Sequence, residues 1–71
     1  MPPLGRTELF KGDVVELSNY IKAALPKHET LNLRDYFKAD VHGVYVPGEE
    51  KFKFYYECLG NGIYTVFTVN E

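Results

Sequence analysis

Seventy-one residues leave room for one domain, residues 1–71, and none for separate catalytic and regulatory halves. The composition, 45% hydrophobic and 25% charged, is that of an ordinary globular chain. Acids and bases are interspersed to a net charge of −2, which argues against a protein built to coat nucleic acid or an anionic membrane. One cysteine forbids an internal disulfide, and no window approaches the roughly 20 apolar residues of a membrane span. The start, Met-Pro-Pro-Leu-Gly-Arg, lacks the apolar run of a signal peptide, so the expected compartment is the cytoplasm.

Taken in chain order, residues 1–7 carry two prolines and a glycine and are expected to be a flexible tail. Glu8, Leu9 and Phe10 dock locally against the core, and Lys11-Gly12 reads as a turn. Asp13 is a good helix N-cap with Glu16 in the capping-box position three residues on. Val14, Leu17, Ile21 and Leu25 then fall at helical spacing, with Val15, Ala24 and Tyr20 widening the stripe, until Pro26 stops the helix. Thr30 to Leu33 alternates like a strand, yet Asn32 and Asp35 read equally as the cap and third position of a short helix. The second reading is preferred and places a short second helix near 32–38. Val41 to Val46 is β-branched and is followed by Pro47-Gly48, so it reads as a strand ending in a turn.

Residues 51–59 and 63–69 read as a β-hairpin around Gly60-Asn61-Gly62. Alternation puts Phe52, Phe54, Tyr56 and Cys58 on one face and Lys51, Lys53, Tyr55 and Glu57 on the other. In the second run Ile63, Thr65, Phe67 and Val69 oppose Tyr64, Val66 and Thr68. A two-residue turn at Asn61-Gly62 (type I′) or Gly60-Asn61 (type II′) unites the phenylalanine-bearing faces. A three-residue loop would mix them and is rejected. The fold class that results is α+β: one N-terminal amphipathic helix packed on a three-stranded antiparallel β-meander.

No catalytic constellation emerges. Cys58 falls among the core-facing residues, where a thiol behaves as a small hydrophobe, and a Cys58–His42 pair has no third group to orient it. His28, His42 and Cys58 match no compact metal-ligand spacing, and neither metal nor cofactor is expected. Glu49-Glu50 is a solvated turn, and no helix follows Gly60-Asn61-Gly62 to make it a phosphate loop. Six tyrosines in so small a chain point instead to protein binding, since tyrosine offers large contact area at low entropic cost. The expected partner-binding surface is the outer sheet face: Tyr55 and Tyr64 as anchors, Val66 between them, and Lys51, Lys53 and Glu57 as the rim. The reading is a small non-catalytic protein-binding module, an inhibitor or regulator of a larger complex such as a phage- or mobile-element-encoded inhibitor of a host system. A homodimer formed through the Ile63–Val69 strand as a sheet edge is a second way to use that surface. The alternative is a single-stranded nucleic-acid binder using the Lys and Tyr side chains of the same face, which the acidic balance disfavours.

Overall fold

The computed structural model describes residues 5–70. Its elements are β1 (Arg6–Asp13), α1 (Val14–Ala24), β2 (Glu29–Asn32), α2 (Arg34–Phe37), β3 (Val41–Tyr45), β4 (Phe54–Gly60) and β5 (Ile63–Val69). The strands form one antiparallel sheet in the order β1-β5-β4-β3-β2. The α+β class stands, with five strands in place of three. Of the expected tail 1–7, residues 1–4 lie outside the described residues, while Arg6 and Thr7 open β1. Lys11-Gly12 is not a turn but the end of that strand. A bulge between Glu8 and Phe10 explains why β1 is hard to see in the sequence: Leu9 interrupts the alternation.

Local chemistry accounts for α1 and its boundaries. Glu16 N–H donates to Asp13 Oδ1 at 2.9 Å, and Asp13 N–H donates to Glu16 Oε1 at 3.3 Å, closing a capping box. At the other end Leu25 N–H reaches Ile21 O at 2.7 Å immediately before Pro26. Leu17 and Ile21 are the buried residues of the helix and pack on Val44, Phe54 and Val66. The short second helix is present, but its N-cap is Leu33 and not Asn32. Asn32 ends β2, and its Oδ1 accepts from Arg34 N–H at 2.8 Å as α2 begins.

The hairpin turn is a type I′ at Asn61-Gly62, with φ of 55° and 74°, between paired Gly60 and Ile63. The register upstream is nevertheless the rejected one. A bulge between Cys58 and Gly60 leaves Leu59 extra, so Tyr55 pairs with Phe67 and Tyr56 with Val66. One added residue turns β4 over relative to β5. Phe54, Tyr56, Tyr64 and Val66 consequently point toward α1, and Tyr55 and Phe67 point away.

The far face is covered as well. Phe37 from α2 and Phe52 from the β3–β4 connection lie 5.6 and 5.5 Å, ring to ring, from Tyr55, which stacks on Phe67 at 5.7 Å. The Arg6 guanidinium sits 4.3 Å from the Phe67 ring and is held there by a 2.9 Å ion pair with Glu57. Phe52, expected beside Phe54, precedes the strand and so escapes its alternation. A sheet clothed on both faces needs apolar residues at both parities, and that is why alternation could not assign them.

Candidate functional site

The structure does not bring the six expected binding residues onto one face. Tyr64 and Val66 turn toward α1, and Val66, at 0% exposure, is part of the core. Tyr55 lies on the opposite face, half-buried in the Phe37–Phe52–Phe67 cluster. Glu57 is engaged by Arg6. Lys51 and Lys53 belong to the loop before β4, and Lys53 pairs with Glu49 at 2.8 Å. Tyr55 and Glu57 therefore share the far face, apart from Tyr64 and Val66 on the helix side and from Lys51 and Lys53 in the loop. Nor is Ile63–Val69 an edge, because β5 pairs with β1 on one side and β4 on the other.

The edges are β1 and β2, and they differ. Along β1 run Arg6, Glu8, Lys11 and Asp13, with the Leu9 bulge in the middle, devices that discourage a further strand from adding. The four residues of β2 are all exposed and contain no bulge, proline or lysine. Glu29, its one charge, accepts from the Tyr45 hydroxyl at 3.1 Å. Leu33 N–H donates to Val41 O at 2.8 Å in line with the β2–β3 ladder, so Glu29 and Leu31 bond inward by alternation. The N–H and C=O groups of Thr30 and Asn32 face outward, the pattern a partner strand needs.

Beside this edge the helix side of the sheet is only half covered. The helix α1 lies over β1 and β5. Between it and β2 is a groove of about 220 Å³, walled by Val14, Leu17, Ser18, Ile21 and Lys22 and bounded on the strand side by His28, Thr30 and Tyr56. Val14, 57% exposed, leaves its apolar surface to the groove rather than to the core. His28 Nδ1 lies 2.7 Å from Leu25 O, so it carries the proton and donates, leaving Nε2 as the ring's other polar atom. Burial pushes the Tyr56 hydroxyl pKa up, opposed in part by its hydrogen bond with Thr30.

Next to the groove His42 stacks on Tyr56, ring centroids 4.9 Å apart and planes 6° from parallel. Asn32 Nδ2 donates to Asp40 Oδ1 at 2.8 Å and approaches His42 Nε2 at 3.4 Å. The cluster fixes the surface chemistry at the outer end of β2 and β3. Cys58, expected in the core, is exposed, as are the other residues at the end of β4, Leu59 and Gly60. No hydrogen bond links it to His42 among the described residues, and no group of three or more His, Cys, Asp or Glu is placed there to hold a metal ion.

Of the groove residues, Val14 had been counted toward the core stripe of the helix, and nothing in the sequence marked Lys22 as part of a site. Comparison with protein families, curated proteins and solved structures finds no match for this chain. No helix of the described residues is long and apolar enough to cross a membrane.

Proposed function

We propose that this protein is a small non-catalytic binding module that occupies a partner protein through β2 and the groove beside it, as an inhibitor or regulator of a larger complex. One observation carries the reading: an apolar groove opens next to an edge strand that lacks the bulge and the run of alternating charges its opposite edge carries. Backbone pairing supplies affinity in such an arrangement, and side-chain pockets supply selectivity. The aromatic face expected to do this work is instead tied up within the molecule by Phe37, Phe52 and Arg6. Single-stranded nucleic acid is the weaker reading, since Lys51 and Lys53 flank no exposed tyrosine strand and Lys53 is paired. The cytoplasm is the proposed compartment, because a chain with one cysteine has no internal disulfide to form.

The test is a substitution that blocks the edge and spares the fold. Thr30→Pro removes an N–H that points outward and adds a ring carbon in its place, a change edge strands tolerate, and Thr30→Val, which loses the same hydroxyl bond to Tyr56 but keeps the N–H, is its control. Wild type and variant, immobilised side by side, are used to capture proteins from the source cells, and captured species are identified by mass spectrometry. A protein retained by the wild type and lost from an equally stable Thr30→Pro variant is the expected result. Equal capture by both overturns the use of β2.

A further inference from the structure

We infer that the groove between α1 and β2 is an anchor pocket for one aromatic or branched apolar side chain of an extended partner segment, with a carboxylate of that segment held by Lys22. This rests on the binding-module reading and specifies what it binds. Size decides between ligand classes. Pockets that enclose a drug-sized molecule or cofactor run to about 300–1,000 Å³, whereas an apolar cavity of about 150 Å³ accepts benzene. At about 220 Å³ the groove suits a single ring or branched side chain and is too small for a cofactor. Val14, Leu17 and Ile21 give it apolar walls, so the inserted group is apolar.

Charge decides the rest. The chain is acidic as a whole, at net −2, yet among the described residues no carboxylate lines the groove. Lys22 and His28 do line it, and Lys22 has no ion pair among the described residues. Thr30 joins the two halves of the site: its side chain borders the groove, and its backbone groups face out along the edge. A strand added to β2 thus brings the side chain opposite Thr30 to the mouth of the groove.

The test pans a display library of random 12-residue peptides on the immobilised full chain, with counter-selection on Thr30→Pro. Selected peptides are then titrated by fluorescence anisotropy against wild type, Thr30→Pro, Lys22→Gln and Val14→Asp, each checked for an unchanged melting temperature. The expected peptides carry an aromatic or branched residue with Asp or Glu within two positions. Thr30→Pro abolishes their binding, while Lys22→Gln and Val14→Asp each weaken it about tenfold, the scale of an interface anchor. Affinity also falls as salt is raised and the Lys22 contact is screened. Peptides that need Thr30 but ignore Lys22→Gln and Val14→Asp would overturn the anchor pocket and leave the edge reading standing. Peptides indifferent to Thr30→Pro, or no enrichment at all, would remove both. A concentration-dependent dimer in sedimentation, dissociated by Thr30→Pro, would assign the edge to a second copy and also overturn the inference.

Discussion

Gly43 is the residue on which the far face depends. A Cβ placed there would come within 2.4 Å of Phe52 Cδ1, so only glycine lets that ring lie flat on β3 and reach Tyr45 and Tyr55. Gly43→Ala should displace the ring and cost about 1–3 kcal/mol, the usual penalty of overpacking. That lowers the melting temperature by at least about 4 °C in a domain of this size. In a Phe52→Ala background the same substitution should cost almost nothing, and an additive double variant would disprove the contact. Two tyrosines make a different kind of prediction. Burial raises the pKa of Tyr56, and the hydrogen bond to Glu29 raises that of the half-buried Tyr45, both from an ordinary 10.0. The folded chain holds these protons where the unfolded chain has lost them, so their contribution is complete below the unfolded value. It falls away as pH rises from 10.0 toward the folded values. Urea unfolding followed from about pH 9 to about pH 11 should show that loss, and Tyr56→Phe should flatten it.

Among the elements, α1 was the most legible. Asp13, Glu16, Leu17, Ile21 and Pro26 each state one local rule, and the rules agree. The turn at Asn61-Gly62 was legible for the same reason, since positive φ at both positions selects those residue types. What the turn residues could not convey was Leu59. A bulge in the ladder changes no residue of the turn, yet it reverses the face of everything before it. Tyr64 and Val66 were assigned outward on that account, and with them went the expected binding surface. Strand β1 escaped notice because it is bulged at Leu9, and β2, whose alternation at Thr30 to Leu33 was visible, lost out to the short helix because it is only four residues long. Deleting Leu59 provides a sharp check. Gly60 would still pair with Ile63 and Cys58 with Tyr64, leaving a regular two-residue hairpin with every face unchanged. The deletion variant should fold with a melting temperature near that of wild type. Deleting Glu57 instead should unfold the domain, because it moves Phe54 and Tyr56 off the core side. Equal outcomes for the two deletions, read by circular dichroism, would refute the bulge.

At the scale of the whole molecule, two thin coverings hold a small sheet. The helix α1 protects the β1–β5 side of one face, and α2 with the Phe52 loop protects the other. So small a domain keeps only a few kcal/mol of net stability, about 3–5 kcal/mol, and the strand order decides how that margin is defended. The first strand and the last lie next to each other and run in opposite directions, and Asn70 N–H donates to Gly5 O at 2.8 Å where they end. That closure has a mechanical consequence. A load drawn between the two ends of this chain acts on the last bond of the β1–β5 ladder alone, then on the next, so the sheet opens like a zipper. A load drawn between the N-terminal end and a cysteine handle at Asn61, with Cys58→Ser to keep attachment unique, pulls β1 along β5 and must break the whole ladder in shear. Single-molecule stretching should therefore find the domain weak from end to end and markedly stronger in the second geometry. If the two rupture forces coincide, β1 and β5 are not the pair that closes the sheet.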